Sequence, residues 1–364
     1  MEKVIYDVLD KIEKNGYEAY IVGGFVREYI LKKNSYDIDI TTSAKPKDIV
    51  DLFKDYDVKL YDYGNVSFNI EKYKFDITTY RKDLKYKNNR KPEKIVYIDS
   101  LEEDLKRRDF TINTICMDKD ENIIDYYDGK KDIKRKLIRS IGNPNEKIKE
   151  DALRILRAVR FATTYKYTID KELKEAIIEN RNLLENISYE RKKEELNKIF
   201  CSKYKKYRIK LLSNLKLKCP LEINSLDNAL LNNDLTGIWA TITDVNYAFT
   251  KKEKEIITKI KELEKEDIND KYIEYKYGLY PLTIVSNLKK LNTKKITAKY
   301  DALPIKDKNE INITTDEICD LLNKEPGEFI KNIFENLEKS ILNDELKNEK
   351  GEIKEYIINK YKED

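Results

Sequence analysis

The chain has 364 residues, which indicates two or three domains at about 150 residues each. Its 72 Lys and Arg residues nearly balance 68 Asp and Glu residues, so a basic binding surface can only come from local clustering. The sequence contains no histidine, which excludes a Ser-His-Asp triad, a Cys-His dyad and a histidine general base.

The four cysteines have no CxxC spacing, so we expect unpaired thiols in a reducing compartment, the cytoplasm. The N-terminus is charged from Glu2 onward, unlike a secretory signal peptide, and no run of about 18 apolar residues predicts a membrane span. With only 10 glycines and 7 prolines, the sequence favours long helices.

The first 140 residues alternate short strands and helices. Helices are predicted at 2–14, 25–33 and 47–54, and strands at 18–22, 37–41, 57–61, 66–71 and 73–79. Residues 82–94 hold charges, Asn and Pro without an apolar period, which predicts a mobile loop. Beyond about Pro144 the pattern is helical to the end, with amphipathic helices predicted at 147–161, 171–184, 188–200 and 251–266. The fold class is therefore predicted as α+β.

Charge is unevenly distributed along the helical part. Residues 187–220 hold 11 basic and 3 acidic residues, and residues 271–308 hold 9 and 3. Residues 309–364 hold 8 and 15. The two basic blocks fit either solvated helix faces or a surface that follows RNA phosphates.

Asp37 and Asp39 in the segment SYDIDI share one face of a predicted strand, while Ile38 and Ile40 face the core. Two adjacent carboxylates repel unless a cation lies between them, and oxygen ligands suit Mg²⁺. The same pattern also fits an edge strand with a polar outer face. Asp76 on a second predicted strand is a further candidate catalytic carboxylate.

A strand, the pair Gly23-Gly24 and a helix with Arg27 precede the carboxylates. Paired glycines allow close backbone approach to a phosphate, and a helix N-terminus and an arginine both favour an anion. The segment therefore predicts a nucleotide triphosphate site in which Gly24 and Arg27 bind phosphate.

Five segments resemble the class II tRNA nucleotidyltransferase and bacterial poly(A) polymerase family of the polymerase β superfamily. GGFVRE…DIDI resembles motif A, with Glu28 where the family usually has Asp. The other four matching segments are RRDFTIN (107–113), DYYDGKKDIKRKLIRSIGNP (125–144), EDALRILRAVRFA (150–162) and SYERKKEEL (188–196).

The resemblance implies a polymerase-β-like nucleotidyltransferase head with a mixed sheet (1–140), a helical neck for nucleotide selection (141–200), a helical body (201–270) and a helical RNA-binding tail (271–364). It implies catalysis by Asp37 and Asp39 with Mg²⁺ and a triphosphate or sugar contact from Arg108. Glu190, Arg191 and Glu195 are expected to brace the neck without a chemical role.

The segment 150–162 predicts how bases are chosen. On one continuous helix, Asp151, Arg154 and Arg157 would share a polar face opposite an apolar stripe. Asp only accepts and Arg only donates hydrogen bonds, which complements the amine and ring nitrogen of C and A and clashes with G and U. The alternative is an Asp151–Arg154 salt bridge. Family resemblance adds Arg160 to the nucleotide contacts, although its helical position favours a bracing role.

The predicted function is the addition of C, C and A to the 3′ end of tRNA from CTP and ATP, with release of pyrophosphate. Arg81, Asp83 and Arg90 are candidates for coupling nucleotide choice to RNA position. The alternatives are a bacterial poly(A) polymerase, a CC- or A-adding specialist, and an inactive RNA-binding protein. A fused HD-type phosphohydrolase domain is excluded because it needs histidine.

Overall fold

The computed structural model describes residues 2–87 and 91–362. They form two compact units, the first containing residues 1–223 and 245–248 and the second containing residues 224–244 and 249–364. The predicted finer division into head, neck, body and tail stays a prediction.

The first unit contains a seven-stranded mixed sheet in the order β3-β4-β5-β2-β1-β8-β9. Only the β2–β5 pair is parallel. Two further strands, β6 and β7, form a separate antiparallel pair. The nine strands are β1 (Ala19–Val22), β2 (Asp37–Thr42), β3 (Lys59–Leu60), β4 (Asn65–Ile70), β5 (Tyr73–Thr79), β6 (Arg81–Lys87), β7 (Lys91–Tyr97), β8 (Cys116–Met117) and β9 (Ile123–Ile124).

Strands β2 and β5 form the centre of the sheet, and their side chains alternate as predicted. Ile38 and Ile40 are buried, as are Phe75 and Ile77 on β5. The intervening acidic residues lie on the opposite face, because successive strand side chains point to opposite sides. The apolar face packs against helices, with stacked Phe53, Phe68 and Phe75 in its core.

Helices and one short parallel strand pair complete the first unit. The strand pair is β10 (Leu137–Ile138) with β11 (Thr168–Ile169). The helices are α1 (Lys3–Lys14), α2 (Gly24–Ile30), α3 (Pro46–Leu52), α4 (Leu101–Lys106), α5 (Gly129–Arg135), α6 (Pro144–Glu150), α7 (Arg154–Tyr165), α8 (Lys171–Asn180), α9 (Tyr189–Phe200) and α10 (Lys205–Asn214). Gly23 turns the chain from β1 into α2 at φ 77°, a left-handed conformation that favours glycine.

The prediction of one helix over 147–161 is wrong, because the chain breaks between α6 and α7. Asp151 ends α6 in an extended conformation, with φ −143° and ψ 105°. Its carboxylate accepts a hydrogen bond from the Leu153 backbone N–H at 3.1 Å. A short acidic side chain that bonds nearby backbone competes with helix formation, and no glycine or proline marks the break.

The prediction of a loop over 82–94 is also wrong for the described residues. Strands β6 and β7 pair from Arg81–Tyr97 to Lys87–Lys91. Backbone hydrogen bonds between the two strands stabilise this hairpin. A charged sequence without alternating apolar residues can therefore form it. Arg90 lies outside the described residues. After Asp109 the chain forms a 3-10 turn (Thr111–Asn113) that precedes β8.

The second unit is helical in its described residues. Its apolar core includes Ile305, Ile318, Leu337, Ile341 and Ile353. Helix α12 begins with a reciprocal capping box between Thr250 and Glu253. The helices are α11 (Leu235–Ile242), α12 (Lys251–Leu263), α13 (Lys271–Tyr277), α14 (Leu279–Leu288), α15 (Thr293–Asp301), α16 (Thr315–Leu322), α17 (Phe329–Leu342) and α18 (Lys350–Tyr361). No helix within residues 2–87 and 91–362 has the length and apolar character needed to cross a membrane.

Candidate active site

An arginine-lined cavity of about 530 Å³ opens between the sheet and helix α7 in the first unit. Seven arginines and four aspartates line it, so its walls combine strong hydrogen-bond donors with a few acceptors. The lining residues are Gly23, Gly24, Arg27, Asp39, Arg81, Asp83, Arg107, Arg108, Asp109, Asn113, Asp151, Arg154, Arg157, Arg160 and Phe161.

Three predicted carboxylates share the outer face of the sheet beside this cavity. Asp39 lines the cavity and lies in register with Asp76 on β5, Asp37 lies at the start of β2, and both Asp37 and Asp39 are solvent-exposed. Desolvation raises the pKa of Asp39, and the neighbouring Asp76 and Asp37 charges raise it further against the opposing effect of Arg108. The carboxylate pair therefore favours a cation.

The donor set fits a divalent cation held by Asp37 and Asp39, because both supply oxygen atoms from one strand face. Asp76 lies in register with Asp39, and its Oδ2 accepts a hydrogen bond from Lys74 Nζ at 2.6 Å. Within the described part of the chain, no three His, Cys, Asp or Glu side chains form a metal-binding group. The pair on β2 is thus the candidate cation site.

Arg27 is fixed by both the sheet region and the helical region of the first unit. Its Nε donates to the Tyr165 hydroxyl at 2.9 Å, and Nη1 donates to Asn113 Oδ1. Its guanidinium also lies about 5.1 Å from the centres of the Phe161 and Tyr165 rings. Arg27 faces the cavity beside Gly24, so it is positioned to contact an anion there.

Arg108 lies between the glycine turn and a buried acid. Its Nη2 is 3.5 Å from Asp104 Oδ2, and its Nη1 lies 4.0 Å from where a Cβ on Gly23 would stand. Its buried Nε has no hydrogen-bond partner among residues 2–87 and 91–362. An arginine with an unsatisfied donor at the cavity wall is suited to bind an oxygen-rich ligand.

Asp151 and Arg154 both line the cavity but do not pair with each other. Asp151 Oδ2 accepts from Arg191 Nη2 at 3.2 Å. Arg154 Nη1 donates to Glu150 Oε2 at 2.6 Å, and its Nη2 donates to the Arg107 carbonyl at 2.8 Å. The interpretation of an i,i+3 salt bridge on one helix is therefore wrong, because the two residues end and begin separate helices.

Arg157 forms an ion pair with Asp109 in the cavity wall. It binds Asp109 Oδ2 through Nε at 2.7 Å and through Nη2 at 2.5 Å. Burial alone would raise the pKa of Asp109, but the Arg157 charge and the Asn113 amide outweigh burial and lower it to about 2. Asp109 thus stays ionised and fixes the Arg157 guanidinium.

Arg160 also lines the cavity. Its Nη1 donates to Glu195 Oε1 at 2.8 Å, and its guanidinium lies 4.5 Å from the centre of the Phe161 ring. Burial lowers the pKa of Arg160, with the Arg157 charge acting in the same direction.

Sequence reasoning gave Arg191 and Glu195 on α9 only a bracing role. In the structure, these two residues hold Asp151 and Arg160 against the cavity. Asp109 and Asn113 were missed as lining residues although both lie in the quoted segment RRDFTIN. The many arginines predicted for the site could have indicated both residues, because buried guanidinium groups need hydrogen-bond acceptors nearby.

Arg81 and Asp83, at the base of the β6–β7 hairpin, line the cavity as well. Arg81 Nε donates to Asp83 Oδ1 at 3.2 Å, and Arg81 Nη1 donates to the Tyr63 carbonyl at 2.9 Å. The hairpin base is therefore joined to the cavity wall.

A carboxylate pair on a central strand, a glycine turn and an arginine-lined cavity define a nucleotidyltransferase with a polymerase-β-like head. Residues 19–139 match the family model described as the poly A polymerase head domain. Residues 166–221 match "Probable RNA and SrmB-binding site of polymerase A", and residues 241–357 match tRNA nucleotidyltransferase domain 2.

The chain belongs to the family of CCA-adding enzymes. It is 32% identical to the CCA-adding enzyme of Bacillus velezensis, with 96% of each chain covered. It is 32% identical to that of Bacillus subtilis, with 98% of each covered, and 33% identical to that of Lactobacillus johnsonii, with 96% of this chain and 95% of the relative covered.

Solved CCA-adding enzymes have the same fold. The Bacillus stearothermophilus enzyme in complex with CTP matches with a TM-score of 0.76 at 24% identity, over 99% of this chain and 98% of that one. The Thermotoga maritima enzyme complexed with tRNA-CCA matches with a TM-score of 0.72 at 19% identity, over 99% and 96%.

Proposed function

We propose that this protein adds CCA to the 3′ end of tRNA from CTP and ATP, without a nucleic-acid template, and releases pyrophosphate. The observation that carries the proposal is that one cavity is lined by Asp39 on β2 and also by Asp151 and Arg154. A nucleotide bound there would reach both the catalytic carboxylates and a base-selecting pair. The relatives' shared name supports the same activity.

In this proposal, the triphosphate binds at the glycine turn. Gly24 allows close backbone approach, and Arg27 and Arg108 donate hydrogen bonds to phosphate oxygens. Within the described part of the chain, the Arg108 Nε has no hydrogen-bond partner, and Arg27 is already oriented by Tyr165.

Asp37 and Asp39 would hold Mg²⁺, a hard cation that prefers carboxylate oxygens. Such a cation supplies charge stabilisation for the attacking hydroxyl and the departing pyrophosphate. The chain's own contribution is to fix the two carboxylates on one rigid strand, with Asp76 as a neighbouring acid in register. We place the activity in the cytoplasm, where tRNA would be processed.

Base choice is assigned to Asp151 and Arg154, with Arg157 beside them. A carboxylate accepts from the exocyclic amine of C or A, and a guanidinium donates to the ring nitrogen. Base recognition of this kind requires the Asp151 carboxylate and the Arg154 guanidinium at the same cavity wall. It does not require that the two residues belong to one continuous helix. Arg191 and Glu150 orient the two residues, and Arg160 acts as a brace held by Glu195.

RNA would be held by phosphate contacts on the basic helical region that follows residue 187. Replacing the exposed Lys203, Lys206 and Lys210 by Glu should weaken tRNA binding by about tenfold or more at moderate salt. It should also reduce the slope of log affinity against log salt by about 2–3, without changing which nucleotide is added. Filter-binding titrations over a salt series measure both quantities.

The matched control carries Glu at the exposed Lys324, Lys339 and Lys362, in the acidic block 309–364. If the control weakens binding as much as the test variant does, binding depends on overall charge or on the predicted tail, and residues 203–210 are not the specific RNA surface. If neither variant changes the dissociation constant, the RNA surface lies elsewhere, and residues 271–308 are the next candidate.

The proposed activity can be tested with single nucleotides on three tRNA substrates ending at the discriminator base, at CC and at CCA. We expect CTP to extend the first by two residues, ATP to extend the second by one, and the third to remain unextended. A poly(A) polymerase would continue to add A to the third substrate. A CC-adding or an A-adding specialist would extend only one of the first two substrates.

A further inference from the structure

Lys74 on β5 lies on the sheet face that carries the candidate cation site. It lies directly opposite Asp37 in the parallel β2–β5 pair. Two residues further along the strands, Asp39 lies opposite Asp76 on the same face. Lys74 Nζ donates to Asp76 Oδ2 at 2.6 Å, while the lysine side chain remains about half exposed. Neither base choice nor triphosphate binding uses this residue.

The face would otherwise hold three neighbouring negative charges. Desolvation raises the pKa of Asp39 and the Arg108 charge opposes it; the Asp76 and Asp37 charges raise the pKa further, and the Lys74 charge is a second, smaller opposing effect. The hydrogen bond to Asp76 in turn raises the pKa of Lys74, with the Asp37 and Asp39 charges adding to the effect. The ammonium group is therefore bonded to Asp76 and lies on the strand face that also carries Asp37 and Asp39.

We propose that Lys74 is a resident counter-ion that stabilises the carboxylate face without a divalent cation and competes with that cation for the face. The inference rests on the assignment of Asp37 and Asp39 as cation ligands. The Lys74 ammonium group occupies one oxygen of Asp76, the third carboxylate on this face. Its positive charge also repels an incoming divalent cation. Lys74 is thus a residue that sets the cation affinity of the site.

The test measures Mn²⁺ binding to the full chain by electron paramagnetic resonance, without nucleotide or tRNA. Lys74→Met should tighten Mn²⁺ binding about tenfold, the size expected from removing one unit charge at ~6 Å from a divalent cation in a water-like medium. Lys74→Arg keeps the charge and should retain an affinity within about twofold of wild type. Asp37→Asn should lose the site, which locates the bound Mn²⁺ at the carboxylate pair.

Lys72→Met is the matched control. Lys72 precedes the same strand and has a side chain 52% exposed, as Lys74 does, but its Nζ pairs with Glu2 at 3.1 Å. Its removal should leave Mn²⁺ affinity unchanged. Equal tightening in Lys72→Met would reduce the effect to overall charge and overturn the proposal.

Melting temperature gives a second measurement on the same variants. Without metal, Lys74→Met should melt below wild type because the carboxylates lose their counter-ion, and saturating Mg²⁺ should raise its melting temperature more than that of wild type. Unchanged or weaker Mn²⁺ affinity in Lys74→Met, or no Mn²⁺ binding in any variant, contradicts the proposal. Binding as predicted without CCA addition would reject only the proposed function.

Discussion

Replacing Asp39 by Asn is expected to reduce nucleotide transfer at least about 1000-fold, because metal stabilisation of phosphoryl transfer is worth several kcal/mol. Of the carboxylate pair on β2, Asp39 is the one that lines the cavity. Asn keeps the shape of its side chain and removes the charge that a cation requires. Asp37→Ala should have a comparable effect. Single-turnover rates with CTP and a tRNA ending at the discriminator base measure the loss.

Binding of tRNA should survive in these variants within about twofold, since phosphate contacts on the helical region carry it. Asp57→Asn is the control, because this acid has a side chain 91% exposed and lies outside the cavity lining. If Asp39→Asn retains near-normal turnover with Mg²⁺, the assignment of the carboxylate pair is wrong.

Replacing Arg154 by Ala should relax base choice. Loss of the donor to the ring nitrogen is expected to slow CTP and ATP incorporation and to admit UTP and GTP. The preference for C over U should fall about 10- to 100-fold, which corresponds to about 1–3 kcal/mol for a lost bidentate contact. Asp151→Ala should relax choice through the amine side. Incorporation of each of the four nucleotides on one tRNA measures the preference.

Arg154 is also buried and bonded to Glu150, so its replacement should lower the melting temperature as well. Arg139→Ala separates the two effects. Arg139 pairs with buried Asp132 at 2.8 Å and donates to the Tyr127 carbonyl at 3.0 Å, but it does not line the cavity. Both variants should have a lower melting temperature than wild type, and only Arg154→Ala should change base choice. An intact C and A preference in Arg154→Ala would leave Arg154 a purely structural role.

The central strands could be predicted from sequence because their alternation is a local property. Ile38 and Ile40 alternate with Asp37 and Asp39, and the burial pattern of β2 follows directly. The glycine turn was predictable as well, since the left-handed conformation of Gly23 excludes most other residues.

The partners of the cavity residues could not be predicted in this way, because they come from distant parts of the chain. Arg191 reaches Asp151 across 40 residues, and Tyr165 reaches Arg27 across 138. The helix break at Asp151 depends on a hydrogen bond between its side chain and the backbone, which competes with helical hydrogen bonds. The spacing of apolar residues does not reveal this bond. The β6–β7 hairpin escaped prediction because backbone pairing, and not side-chain burial, defines it.

The most direct test of the central claim is the sequence of tRNA 3′ ends after reaction with all four nucleotides at equal concentration. The purified protein with Mg²⁺ is incubated with tRNA ending at the discriminator base, and the product ends are sequenced. We predict that nearly all extended molecules end in CCA and stop there. Runs of A, ends in CC alone, or frequent U and G within the added residues would contradict the account.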